Sequence, residues 1–393
     1  MPKMSSRQRM LAALACKEPD HVPCSFMLYN ALRDQSRDFA DFIERQVALG
    51  LDAYVQIPPR PPAWKSDHLN LPGLPVAHDP RVTVKEWQER PTGEAWPILV
   101  KEYRTPAGTL RAEVRQTSDW PYGNHVPFLD DYLTPRSRKF LLTGPEDLAA
   151  FRYLLVPPTE TEVAAFHTDS APAIELARRH NLLLAAGWGV GADLVGWVYG
   201  LENMMYAVYD RPEFVRELLD IIATWNRQRM EVMLSAGVDL FIKRAWYENL
   251  DFFTPKTWRE FIYPILKADV ELAHSKGAKF GYIITANCMA LLDMFIEVGI
   301  DAIIGIDPDA WDMAEAKRKL GGKVCLWGGV SGHLTVEQGT AEEVRRAVRE
   351  AMRLLAPGGG FILSPVDNVR EHTETARANT AALLDEWRQL TGQ

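Results

Sequence analysis

Short apolar runs rich in β-forming residues, most of them followed by a segment of helical period, recur along this chain and constrain its fold more than any other feature. The runs are VPCSFML (22–28), DAYVQI (52–57), NLLLAAGW (181–188), VDLFIK (238–243), KFGYIIT (279–285), DAIIGI (301–306), KVCLW (323–327) and GFILS (360–364). Continuous apolar runs of this length are what strands buried on both faces look like, and intervening helices favour parallel pairing. Eight of them predict an α/β fold, a (β/α)8 TIM barrel. A doubly wound open sheet is the structural rival, but no GxGxxG follows the first run. GWGVGADLVG, beginning at Gly187, only superficially resembles one and reads as a tight turn over the barrel mouth.

The rhythm breaks once. From 58 to 142 the text is Pro-rich and then alternates apolar and polar residues in RVTVKEWQER, ILVKEYR and TLRAEVRQ, with turns at PTGE and TPAG. That pattern predicts an antiparallel meander, a β-rich insertion between strands two and three of a single barrel domain spanning 1–393. Helix starts are marked by Ser5 or Ser6, by Thr254 before Pro255, and by capping-box spacings at Thr143/Glu146 and Asp210/Glu213.

The net charge of −8 is spread over both halves without a basic block, which argues against nucleic acid and against a polybasic membrane contact. Cys16, Cys24, Cys288 and Cys325 form no CxxC or CxxH, so neither a disulfide framework nor a standard structural zinc site is expected. With no signal-peptide core and no apolar run of about 18 residues, the chain reads as a soluble, cytoplasmic protein.

In a barrel the carboxyl ends of the strands converge on one mouth, so polar residues just past each run are the candidate site. They are Tyr29 and Arg33 after the first run, Trp188 after the third, and Arg244, Trp246, Tyr247 and Glu248 after the fourth. Tyr282 and Asn287 belong to the fifth, Asp307 to the sixth, Trp327 and His333 to the seventh, and Asp367 and Asn368 to the eighth. Each has a plainer reading: Glu248 suits a salt bridge to Arg244 or a helix cap, Asp307 before Pro308 suits a turn, Tyr282 suits the core, and His333 suits a solvated loop. The tryptophans at strand ends fit a flat or methylated aromatic substrate.

Longer stretches carry a family likeness. SSRQRMLAALACKEPDHVP, GVDLFIKRAWYENLDFFTPKTWREFIYPILKADVELAHSKGAKF, LLDMFIEVGIDAI, GKVCLWGGV and GTAEEVRRAVREAMRLLAPGGGFILSP resemble the uroporphyrinogen decarboxylase superfamily, which includes the decarboxylase of tetrapyrrole synthesis and the corrinoid-linked methyltransferases. The resemblance covers nearly the whole chain outside 58–142 and implies a single (β/α)8 barrel. Departures from the family patterns narrow the implied activity. SFMLYNALRDQ stands where the decarboxylase has a RQAGRY-like segment, which leaves Arg33 as the nearby candidate for holding a propionate. Tyr282 and Ile284 stand where the thiol-activating methyltransferases have His-x-Cys, and SPVDNVR offers no later cysteine, so their usual zinc site is absent and no metal ligand is assigned.

The resemblance then implies an enzyme that demethylates a small, methoxyaromatic-like donor and passes the methyl group to a corrinoid on a partner protein, since no DxHxxG corrinoid motif occurs here. In that reading Tyr247 and Tyr282 orient or protonate the leaving oxygen, and Glu248 and Asp307 act as acid, base or metal ligand. Trp188, Trp246 and Trp327 hold the ring. A decarboxylase or lyase anchored by Arg33 or Arg244, and a non-catalytic ligand-binding barrel, are the alternatives. A homodimer is also expected from the resemblance.

Overall fold

The computed structural model describes residues 3–59 and 77–393. Its main layer is a curled parallel sheet of seven strands: β1 (Tyr54–Ile57), β6 (Leu183–Gly189), β7 (Leu240–Arg244), β8 (Lys279–Ile283), β9 (Ala302–Ile306), β10 (Cys325–Ser331) and β11 (Phe361–Val366), hydrogen-bonded in that order. Helices cover its outer face, the arrangement of a TIM barrel. The apolar runs are buried as their composition demands: every residue of β7, β9, β10 and β11 is buried.

The expected first strand, 22–28, is the one exception. It makes a single parallel bridge, Cys24 with Leu363, rather than a ladder. It still closes the barrel, because the Ser25 N–H donates to the Leu363 carbonyl (3.0 Å) on one side and the Asp52 N–H donates to the Cys24 carbonyl (2.8 Å) on the other. Two local causes keep it from extending. Pro23 has no N–H to give, and the Met27 N–H is taken by Ser364 Oγ at 2.9 Å instead of a backbone carbonyl.

The insertion is a four-stranded antiparallel sheet ordered β2 (Thr83–Glu89), β3 (Ile98–Thr105), β4 (Gly108–Arg115), β5 (Ser137–Lys139). The Pro-rich start of the expected insertion, 60–76, lies outside the described residues. The sheet's trailing segment docks on the barrel: the Leu142 N–H donates to the Val198 carbonyl (2.8 Å) and Thr134 Oγ1 donates to the Gly196 carbonyl (3.2 Å). This brings the loop after 129 over the strand ends.

The outer helices follow the sequence signals closely where the cap side chain is free to act. Ala341–Leu355 begins with a capping box between Thr340 and Glu343 and buries Val344, Val348, Ala351 and Leu355, a stripe spaced four, three and four residues apart. Burying such a stripe contributes about 1.5–3 kcal/mol for each of its large side chains, against about 1 kcal/mol for the cap. Thr254 caps Pro255–Phe261 through the Thr257 N–H, and Ser5 caps Ser6–Leu14 with Gln8 completing the box. Two expected boxes do not form. Thr143 pairs with Asp147 rather than Glu146, because the 3-10 turn Pro145–Asp147 starts one residue later than expected, with Gly144 and not Thr143 at its N-cap. Asp210 ends the helix Leu201–Asp210, so the next helix starts at Pro212 with no side-chain cap.

Candidate functional site

Side chains on neighbouring parallel strands share a face at register partners and alternate along each strand, so β7 and β8 send successive residues to opposite sides of the sheet. Lys243 and Tyr282 are register partners and both leave on the helix side. Lys243 Nζ donates to Asp269 Oδ2 (2.8 Å) on the helix Tyr263–Ser275, and the Tyr282 ring packs 5.8 Å from Phe295 on the helix Leu292–Val298. Arg244, one residue on from Lys243, therefore faces the mouth.

Around Arg244 the structure gathers a polar cluster that is almost closed to water. The guanidinium is 1% exposed and lies between the indoles of Trp197 and Trp246, 4.8 and 4.0 Å from their centroids. Its Nε donates to Asp193 Oδ2 (2.8 Å) and its Nη2 to Asp131 Oδ2 (2.5 Å). Asp193 also accepts the Tyr247 N–H (2.9 Å), while Asp131 Oδ1 accepts Trp197 Nε1 (2.8 Å) and the Tyr247 hydroxyl (3.2 Å). Burial lifts the Asp193 carboxyl to about 6 against the pull of Arg244. Burial pulls the Arg244 guanidinium down, but the two aspartates outweigh it and hold it above its usual range. Burial, with the charges of Asp131 and Asp193, pushes the Tyr247 phenol up, so it stays protonated at neutral pH.

Past β9 and β11, Asp307 and Asp367 extend this rim. Burial raises both carboxyls. Asp307 is raised further by the charges of Asp309 and Asp367, and Asp367 lies within electrostatic reach of Arg244 and Asp131. Asp367 takes a left-handed backbone conformation (φ 66°), uncommon for a residue with a side chain and often found where a loop is held for function. Its neighbour Asn368 is buried and accepts the Asn30 N–H at 3.1 Å, which ties the last strand's loop to the first.

Glu248 and Tyr282 come together, but behind the mouth. The Tyr282 hydroxyl donates to Glu248 Oε2, the Ala192 N–H donates to Glu248 Oε1 (3.0 Å), and the two side chains belong to residues 1% and 0% exposed. Burial together with the Glu248 charge drives the Tyr282 phenol well above its usual value. Burial also pulls Lys243 down, but Asp269 and Glu248 beside it hold it above its ordinary value. Two glycines permit this approach. A Cβ at Gly191 would meet Glu248 Oε1 at 2.0 Å, and one at Gly187 would meet the Ile242 carbonyl at 2.1 Å. The glycines of GWGVG thus serve close packing against β7. Asp307 shares no hydrogen bond or ion pair with this buried pair among the described contacts.

The other expected residues are dispersed. Tyr29 and Arg33 line a small cleft with Phe26, Phe42, Tyr54 and Gln56, where burial lowers the Arg33 guanidinium. Trp327 is buried inside the barrel, donating its indole N–H to the Ser25 carbonyl (2.8 Å) and meeting Tyr54 edge-on. Trp188 belongs to β6, and its side chain lies outside the described residues. Asn287 is exposed, as is His333, whose imidazole pairs with Glu337 at 3.1 Å on a π-helical turn, Gly332–Glu337.

Asp131, Asp193 and Trp197 escaped the sequence reading. Asp193 had a signal, an acid a few residues past a strand end, hidden by the glycine-rich text around it. Asp131 had none, since only the fold brings the insertion loop to β7.

No group of three or more His, Cys, Asp or Glu side chains is arranged to hold a metal ion among the described residues. Tyr282 and Ile284, which the sequence resemblance sets where thiol-activating methyltransferases have His-x-Cys, do not fit such a zinc: Tyr282 faces the helix layer with its hydroxyl on Glu248, and Ile284 offers no donor. No described helix is long and apolar enough to cross a membrane.

The chain is similar to several known proteins. Over 186 residues the chain is 21% identical to the methylcobamide:CoM methyltransferase MtaA of Methanosarcina barkeri, a stretch that is 46% of this chain and 52% of that protein. The chain thus spans about half the length of the curated relative it matches. A solved methyltransferase from Methanosarcina mazei superposes with a TM-score of 0.59 at 15% identity, covering 99% of both chains. A B12-independent methionine synthase from Shewanella sp. W3-18-1 gives a TM-score of 0.42 at 13% identity, covering 57% of this chain and 66% of that one. The family description "Uroporphyrinogen decarboxylase (URO-D)" matches residues 147–389, from the short helical turn after the insertion to the last helix. The chain belongs to the uroporphyrinogen decarboxylase family.

Proposed function

We propose that this barrel is a methyltransferase that takes a methyl group from a small donor and delivers it to a corrinoid carried by a separate protein. The observation that carries this reading is the similarity to MtaA, a methylcobamide:CoM methyltransferase. The mouth chemistry supports it in a particular direction. The donor's methyl–oxygen bond breaks with the electron pair staying on oxygen, the pair for the new bond to the methyl carbon would come from the reduced corrinoid, and the departing oxygen must receive a proton to leave readily.

Asp307 and Asp367 are suited to that proton, since burial raises both carboxyls and neither is sealed from solvent, while the Tyr247 hydroxyl orients the donor. Trp246, stacked on Arg244 and half-buried, offers a face for an aromatic donor. Glu248 and Tyr282 act as positioning residues. Their bonds fix the start of the helix Ala192–Val198, which carries Asp193 and Trp197 into the cluster. The corrinoid, when bound on its carrier, supplies the methyl-accepting centre, and the exposed Asn287, His333 and Arg370 beside the strand ends are where a docking carrier would meet this chain.

The test incubates the purified protein with a reduced free corrinoid and a panel of methoxyaromatic and methylamine donors, following the methylated corrinoid by absorbance. Donor-dependent methylation supports the reading. Release of carbon dioxide from a carboxylic acid without any methylation supports the decarboxylase alternative, for which Arg33 in its cleft is the anchor.

A further inference from the structure

The side chains around Asp131 form a receptor for a carboxylate, and the insertion fills it with its own. Three donors converge on that one carboxylate: Arg244 Nη2 at 2.5 Å, Trp197 Nε1 at 2.8 Å and the Tyr247 hydroxyl at 3.2 Å. All three belong to the barrel and the helix after β6, not to the insertion. They are held without help from Asp131. Asp193 fixes Arg244 from behind, Trp197 is 2% exposed, and the Tyr247 backbone N–H is anchored on Asp193.

The occupant differs from its hosts in exposure. Asp131's side chain is 33% exposed, whereas those of Arg244 and Asp193 are 1% and 0% exposed. It sits on a loop of turns between the bridge at 129 and β5. The exchange conserves charge at Arg244, because one carboxylate takes the place of another while Asp193 stays where it is.

We propose that this receptor binds the carboxylate of an aromatic acid in exchange for Asp131, so that the substrate of the mouth is a carboxylate-bearing methyl donor such as a methoxybenzoate. The ring would then lie against Trp246, beside the Tyr247 hydroxyl. Asp131 acts as an internal competitor, which sets the apparent affinity for acids and excludes water from Arg244 when the mouth is empty. Naming the methyl donor as the occupant rests on the function proposed above; the receptor itself does not.

The test is binding of benzoate, followed by calorimetry or by quenching of tryptophan fluorescence, with neutral methoxybenzene as the control ligand. Removing the competing charge in Asp131→Ala tightens benzoate binding about 10- to 100-fold, the equivalent of one or two charge-assisted hydrogen bonds made available. Methoxybenzene binding does not change. Asp131→Asn keeps the loop's neutral contacts and loses only the charge, so it gives a smaller gain and carries the test alone if the alanine variant unfolds. Tyr247→Phe in either background returns several-fold of the gain. No gain for benzoate in a folded Asp131 variant, or an equal gain for methoxybenzene, overturns the receptor. Because benzoate has no methyl donor group and needs no carrier, that failure leaves the methyl-transfer reading standing, and failure of methyl transfer leaves the receptor standing.

Discussion

Replacing Glu248 by alanine tests whether this carboxylate organises the site or performs chemistry in it. The side chain accepts two buried hydrogen bonds, from the Ala192 N–H at 3.0 Å and from the Tyr282 hydroxyl, and it is one of two carboxylates near the buried Lys243. Each donor left without a partner in a dry interior costs about 1–3 kcal/mol, so the two together cost about 4 kcal/mol. Glutamine keeps a carbonyl oxygen for Ala192 and turns an amide toward the Tyr282 oxygen, for a loss of about 1 kcal/mol. Urea unfolding followed by tryptophan fluorescence reads both losses as shifts of the midpoint at constant slope. The Tyr282→Phe and Glu248→Ala changes couple by about 1–3 kcal/mol in a double-mutant cycle, since each removes the same bond. An alanine variant within about 0.5 kcal/mol of the parent contradicts the reasoning, because that is the range of a surface substitution.

Arg244→Ala strands Asp193, 0% exposed, without its counter-charge; we expect a loss of about 3–5 kcal/mol that Asp193→Asn in the same chain largely restores, measured by the same urea titration. Gly191→Ala drives a Cβ onto Glu248 Oε1 and costs about 1–3 kcal/mol, while Gly50→Ala, which meets no atom within 4 Å but has a φ of +73°, costs about 1 kcal/mol from backbone strain alone. Burial and the neighbouring Arg9 lower the His21 imidazole to about 4, so its stability contribution is complete above its unfolded value near 6.5 and is lost as pH falls from there through 4. His21→Gln therefore flattens the pH profile of unfolding in that window by about 2–3 kcal/mol, read as the difference in urea midpoints between pH 7 and pH 4.

Most of the barrel was legible because its signals are local. The runs read as strands at 238–243, 279–285, 301–306 and 360–364 correspond to Leu240–Arg244, Lys279–Ile283, Ala302–Ile306 and Phe361–Val366, since a continuous β-rich apolar run has few other uses in a chain with helices on either side. Strand 22–28 was misread because a proline and a side-chain acceptor, not its composition, decide its hydrogen bonding. The helices Ala192–Val198 and Leu201–Asp210 carry no legible start signal, because glycine-rich text masks the first and the second begins after Gly200 without a side-chain cap, its last residue Asp210 looking like the start of the next helix.

The site was legible at one end only. Arg244, Trp246 and Tyr247 could be placed at the mouth from their position after a strand. Which way each side chain points is fixed by strand register, so Tyr282, three residues from the end of its run, turned out to face the helices. Asp131 lies 113 residues from Arg244 in sequence, and nothing in either neighbourhood announces the pairing.

The most direct test of the account is methyl transfer by the whole chain with a carboxylate-bearing methoxyaromatic donor and a reduced corrinoid acceptor, comparing the parent with Asp307→Asn and Asp367→Asn. The account predicts donor-dependent formation of the methylated corrinoid, slowed about 10- to 1,000-fold in the variants by loss of the proton source, with folding unchanged. Donor-dependent transfer at the parental rate in both variants, or no transfer from any donor alongside carbon dioxide release, would contradict it.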